Sequence, residues 1–199
     1  MSSTRRRESG SGPSDAVDAA EWWIYSIATG TSFSTRWGAS RPAVVNIDIA
    51  GSVSSGGGDM SDEHTIYFDG SCDPNPGGIA GVGVYSSTLF IRVSQRFGEG
   101  DDMTNNVAEY AALCEALERA MGMAVEGDTV HIRGDSNLVV KQVNGDWRVK
   151  SDHLVPFHRR ALELLDELQD CGISVDIGWV SRKDNKVADA LSYEATREA

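Results

Sequence analysis

No stretch of this sequence approaches the ~18 uninterrupted apolar residues that read as a membrane span, so no transmembrane helix is expected. Arg5, Arg6 and Arg7 are not followed by an apolar core, and the N-terminus does not read as a secretory signal. Cysteine is scarce. Cys72, Cys114 and Cys171 are widely separated, odd in number and without paired metal-ligand spacing, which argues against a disulfide framework and for reduced thiols in a cytoplasm. Lysine is scarcer still for its class: four lysines stand beside 14 arginines, against 18 aspartates and 12 glutamates, for a net charge of −12. An acidic, lysine-poor surface suits a protein kept soluble in concentrated salt, where the Debye length falls to ~3 Å at 1 M and a polyanion is no longer repelled at a distance. A halophilic source is expected. In a mesophile the same charge would make nucleic acid an awkward partner.

What the chain does contain is unevenly distributed. Residues 1–20 are rich in Ser, Gly and charge and read as a disordered arm. Residues 21–50 hold Trp22, Trp23, Tyr25, Phe33 and Trp37, then an apolar run at 43–50 that could form a strand. Residues 51–60 are linker-like in composition. These aromatics lack the interleaved basic residues of a nucleic-acid platform, and no motif is found before residue 61. Residues 1–60 are therefore read as a flexible or weakly structured extension of unassigned role. The sequence SDEHTIYFDG after Met60 reads like a natural start for the domain at 61–199.

Within 61–199 the pattern is regular. Thr65 to Phe68 is β-prone and meets Asp69 just where Gly70, Ser71, Pro74, Asn75, Pro76 and Gly77 signal a turn. Paired strands follow at 79–86 and 89–97, as an antiparallel meander. A helical stripe runs over 106–121. Then come a strand at 129–133, a short helix at 136–143, a helix at 154–171, a strand at 173–180 and a helix from 185 onward. That order gives an α/β fold, a mixed sheet with helices packed over it.

Four acids fall at comparable boundaries. Asp69 and Asp135 end the first and fourth strands, and would converge if those strands are neighbours. Glu109 lies in the first turn of the helix after the meander, and Asp189 in the last helix. Each has a plainer role open to it. Glu109 could complete a capping box with Asn106, Asp135 could cap the next helix, and Asp189 could be a solvated helix-face charge.

Taken together, FDGSCDPNPGG, TNNVAEYAAL, GDSNLVVKQVNG and WVSRKDNKVADALS, in that order and spacing over residues 62–195, resemble type 1 ribonuclease H. The resemblance implies a ribonuclease H-like fold: three antiparallel strands, then two parallel ones, in a five-stranded sheet with helices on both faces. It implies an active site of Asp69, Glu109, Asp135 and Asp189 holding two divalent cations, Mg²⁺ or Mn²⁺. Crowded carboxylates raise one another's pKa unless cations lie between them, and hard oxygen ligands suit those ions. The implied reaction is hydrolysis of the RNA strand of an RNA–DNA hybrid to 5′-phosphate and 3′-hydroxyl products by a two-metal route. Asn75, Asn105, Asn106 and Asn137 match positions that face substrate, and Thr104 matches one lining a phosphate pocket. Asn185 matches an asparagine four residues before the last acid, able either to orient ligands or to cap the helix. Two other readings share these residues, cleavage of double-stranded RNA and a non-catalytic hybrid-binding module. A monomer is expected.

The chain departs from the pattern in three places. The loop before the last acid lacks the histidine of bacterial members and carries Arg182, as in some archaeal ones; a guanidinium cannot shuttle a proton near neutral pH, so its role is electrostatic or merely that of a surface charge. Asp102 stands where relatives often have a basic phosphate contact. The segment 144–153, with only Arg148 and Lys150, is too short for a basic protrusion. Because phosphate neutralisation supplies much of nucleic-acid affinity, both losses predict weak substrate binding. The halophile reading itself predicts a fold that persists at molar KCl by circular dichroism; structure retained only at low salt would overturn it.

Overall fold

Ile66 and Phe68, both fully buried, alternate with half-exposed neighbours and make the period-two pattern of β1 (Glu63–Asp73). This strand is central to the computed structural model, which describes residues 61–197. β2 (Ile79–Ser86) and β3 (Ile91–Glu99) complete an antiparallel meander on one side of it. β4 (Thr129–Gly134) and β5 (Ser174–Trp179) lie parallel to it on the other, giving the order β3-β2-β1-β4-β5. The helices are α1 (Asn105–Met123), α2 (Asn137–Val143), α3 (Val155–Asp170) and α4 (Lys186–Ala195). The expected succession of strands and helices along the chain is the one observed, with most ends shifted by one or two residues, and the first and fourth strands are indeed neighbours. The strand expected at 43–50 and the aromatic segment around it lie outside the described residues.

One expectation needs correcting. β1 does not stop at Asp69. It continues to Asp73, with Asp69 opposite Gly83 and Asp73 opposite Ile79 on β2, whereas its pairing with β4 ends at Phe68 opposite Gly134. Asp69 therefore sits in a notch where one neighbouring strand has ended and the other carries on. Gly70 and Ser71 look like turn residues, but the β2 ladder holds them extended. The glycine serves a different purpose: a Cβ there would lie 2.1 Å from the backbone of Ala108 and Glu109, so only glycine lets α1 press onto the strand.

Alternation along the sheet sends Ile66, Phe68, Val82, Val84, Val130 and Ile132 into a core shared with α1, α2 and α3. There Leu113 and Leu117 join Leu164 and Leu168, all fully buried, each such side chain stabilising the fold by roughly 1.5–3 kcal/mol. The one hydroxyl among the largest of these, that of Tyr110, donates to Gln142 Oε1 at 2.9 Å. The opposite face is covered by α4, through Ala188, Leu191 and Ala195. Its approach again depends on glycine: a Cβ on Gly83 would lie 2.2 Å from the Ala188 carbonyl oxygen.

Far from the notch, buried Asp128 ties the starts of β1 and β4 together. It accepts from the Val125 N–H at 2.9 Å and the Asp62 N–H at 3.2 Å, with His64 Nε2 at 3.4 Å. Burial alone would raise its pKa, but these donors hold it below the ordinary aspartate value.

Because α1 rests directly on Gly70, Gly70→Ala is expected to destabilise the protein by roughly 1–3 kcal/mol, as overpacking does. Gly122→Ala in α1, where a Cβ meets nothing within 4 Å, is expected to stabilise it by roughly 0.4–1 kcal/mol. Urea denaturation of the two variants checks both signs; similar effects from both would show that the Gly70 contact is not tight.

Candidate active site

Since Phe68 points into the main core, the next side chain, Asp69, points to the α4 face. Two residues from the α4 region meet it. Asn185 Nδ2 donates to the Phe68 carbonyl oxygen at 2.9 Å and reaches Asp69 Oδ1 at 3.4 Å, while the Ser192 hydroxyl donates to Asp69 Oδ2. Asp69 is only 5 % exposed. Burial pushes its pKa up to about 7, against the pull of the Ser192 bond, with the negative charges of Asp135 and Asp189 adding to the rise.

Glu109 arrives from α1. The close approach over Gly70 brings its carboxylate to the notch, where the Gly70 N–H donates to it. Burial raises its pKa well above the glutamate norm, and the charges of Asp69 and Asp135 raise it further; the Gly70 N–H and Arg182 only partly offset them. One of its oxygens, Oε2, is buried with no hydrogen-bond partner. Asp135 follows the last residue of β4, and its backbone carbonyl accepts from Trp179 Nε1 at 3.0 Å, fixing it to the end of β5. The N-cap of α2 is Ser136, so Asp135 does not take the capping role open to it.

The result is a set of carboxylate oxygens from Asp69, Glu109 and Asp135 that lie within 4.8 Å of one another. Asp189 is not in that tight set. It lines the same cleft, of about 530 Å³, from the α4 side, and is ion-paired with Arg182. An all-carboxylate donor set with an unpartnered buried oxygen fits a hard divalent cation, which takes oxygen ligands and supplies the charge that these groups lack.

The remaining expected residues divide clearly. Asn105 lines the cleft, and its Oδ1 accepts from the Cys72 N–H at 2.8 Å; Asn75 Oδ1 in turn accepts from the Asn105 N–H at 3.1 Å. Thr104 is the N-cap of α1, accepting from the Val107 N–H at 3.2 Å, so Asn106 does not cap and Glu109 closes no capping box with it. Asn106 and Asn137 are exposed in the first turns of α1 and α2. Arg182 is exposed at the cleft rim. Asn185 is 1 % exposed, behind Asp69 rather than on the open side of the cleft, and makes no side-chain cap of α4. Ser192 and Tyr193, which also line the cleft, were not expected there. The signal for Ser192 was its place three residues after Asp189, one helical turn on.

A carboxylate whose folded-state pKa is raised contributes stability below its unfolded value, ~3.9 for Asp, and loses it as pH rises through the folded value of about 7. Thermal melts in a chelator, at fixed ionic strength, are therefore expected to fall from about pH 4 to about pH 7. Asp69→Asn is expected to flatten that slope, and added Mg²⁺ to restore the melting temperature above neutrality. Parallel profiles for the two proteins would show that Asp69 is not the group responsible.

A family model described as "Reverse transcriptase-like" matches residues 67–195. Ribonuclease HI of Halobacterium salinarum is 41 % identical over 140 residues, covering 67 % of this chain and 64 % of its own length, so the chain spans just under two thirds of that relative. The crystal structure of ribonuclease H1 from the same organism superposes with a TM-score of 0.58 at 37 % identity, covering 69 % of this chain and 99 % of that one. The LC11 ribonuclease H1, solved in complex with an RNA/DNA hybrid, gives 0.57 at 32 % identity, over 67 % of this chain and 96 % of its own. On the matched family model, these identities and these superpositions, the chain belongs to the ribonuclease H family.

Proposed function

We propose that this protein is a metal-dependent endoribonuclease that cleaves the RNA strand of RNA–DNA hybrids, leaving 5′-phosphate and 3′-hydroxyl ends. The observation that carries this reading is the convergence of Asp69, Glu109 and Asp135 within 4.8 Å in an open cleft, with Asp189 on its far wall. Asp69, Glu109, Asp135 and Asp189 would hold two divalent cations, Mg²⁺ or Mn²⁺, whose chemistry is to activate water and stabilise the departing oxygen. The protein's own part is to keep the carboxylates ready. Raised proton affinities at Asp69 and Glu109 mean that protons and cations compete for the notch, so ion binding releases protons and strengthens with pH. A non-catalytic binding module would not need to bear the cost of this crowding.

The substrate side relies on neutral donors. Backbone N–H groups can only donate, so the bonds to Asn105 and Asn75 consume their amide oxygens and leave the amide NH₂ groups for acceptors. Thr104 likewise accepts from Val107 and keeps its hydroxyl proton. Phosphate and ribose oxygens are such acceptors, and only RNA presents the 2′-hydroxyl by which its strand is distinguished. Arg182, paired with Asp189, offsets negative charge at the rim and acts electrostatically. Asp102 and the short 144–153 segment leave little basic surface, in keeping with work at high salt, and the salt-loving relative supports that setting. The three free cysteines suit a reducing cytoplasm.

A labelled RNA–DNA hybrid incubated with Mg²⁺ or Mn²⁺ is expected to be cut by the native chain. Asp69→Asn and Asp135→Asn are expected to lower the rate by more than ~100-fold, beyond what removing even a ligand's supporting partner costs. Unchanged cleavage in both variants would sink the assignment. Equal cleavage of double-stranded RNA would widen the substrate class.

A further inference from the structure

We infer that Ser192 is a positioning residue for the divalent-cation site: its hydroxyl latches the Asp69 carboxylate of β1 to α4 and thereby sets the spacing between Asp69 and Asp189. The inference rests on the reading of Asp69 as a cation ligand.

Ser192 is fully buried, and its Oγ has two acceptors within reach: Asp69 Oδ2, and the Asp189 carbonyl oxygen at 3.0 Å. A serine inside a helix ordinarily returns its proton to a carbonyl of the preceding turn. With a cation bound Asp69 is ionised and competes for that single proton, and a charge-assisted bond is about twice as strong as a neutral one. The proton therefore goes across to β1, and the Asp189 carbonyl stays with its helix. Residue 192 thus touches both acids, one through its proton and one through the helical turn that they share.

The second hold on Asp69 is weaker. Asn185 Nδ2 sits closer to the Phe68 carbonyl, at 2.9 Å, than to Asp69 Oδ1, at 3.4 Å. Ser192 is thus the main restraint on rotation of the carboxylate about its terminal torsion, and that rotation decides which lone pairs face the notch. A water entering from the cleft would not replace it in kind, because the hydroxyl is held in place by a helix that packs on β2 so closely that a Cβ on Gly83 would come within 2.5 Å of Ser192 N. Nor does the latch block ligation: each carboxylate oxygen has two lone pairs, so Oδ2 accepts from Ser192 and keeps one free.

Isothermal titration of the full-length chain with Mn²⁺ alone tests this. Ser192→Ala is expected to weaken Mn²⁺ binding ~10–100-fold, the usual effect of removing a partner behind a ligand. Turnover of a hybrid by this variant is expected to recover at high Mg²⁺ with the hybrid KM unchanged, which a general loss of packing would not give. In an Asp69→Asn background, Ser192→Ala is expected to add nothing, because the two act as one unit. Should Ser192→Ala fail to fold, Ser192→Cys, with a weaker donor on a similar shape, carries the same test. Native-like Mn²⁺ affinity in the serine variant, with loss in Asp69→Asn, overturns the latch and leaves Asp69 a ligand. Equal affinity in the native chain and Asp69→Asn overturns the reading on which the latch rests.

Discussion

Like charges at contact distance are the constraint around which this domain is built. Asp69, Glu109 and Asp135 come from a strand, a helix and a strand end, and their oxygens lie within 4.8 Å of one another under substantial burial. Without a proton or a cation among them, the arrangement opposes folding. The fold therefore has to supply rigidity from elsewhere, and it does so with close backbone packing. α1 lies directly on Gly70 and α4 directly on Gly83, so both helices are pinned to the strands on either side of the notch. The apolar core below them, centred on Phe68, Leu113, Leu117 and Leu164, offsets the local cost.

Charge is handled differently on the two sides of the cleft. One part of it is lined by the carboxylates of Asp69, Glu109, Asp135 and Asp189. Beside them the polar groups from Asn75, Thr104 and Asn105 are neutral, each with its accepting atom already occupied by a backbone N–H. On the proposed reading, this division would let a chain of net charge −12 present donors to a polyanion without adding basic residues. Arg182 is the exception at the rim, and its guanidinium is paired with Asp189.

Much of this was legible in the sequence. The strand and helix periods followed from local patterning, whereas the set of four acids and the make-up of the sheet came from the resemblance that four motifs carry together. What was not legible depended on pairing and depth. Gly70-Ser71 looked like a turn because a ladder with β2 over residues 69–73 cannot be read from either strand alone. Asn106 looked able to cap α1 with Glu109, but the helix starts one residue earlier and Thr104 is the cap, which only the backbone path decides. Asn185 carries the same amide as Asn105, but one is buried behind Asp69 and the other lines the cleft. Ser192 was missed because a serine on the packed face of a helix looks like any small residue until its acceptor, 123 positions earlier, is known.

The position of β1 at the middle of the sheet has one more consequence. Its hydrogen-bonded neighbours on both sides make it the part of the molecule least able to open without global unfolding. Tyr67 and Phe68, paired on both sides, therefore belong to the slow-exchanging interior with Asp69 at its edge, whereas Arg182, on the short turn at Arg182–Asp184, lies at the exposed periphery. The cleft thus joins two kinds of surface: one wall anchored beside the centre of the sheet, and a rim that stands open to solvent.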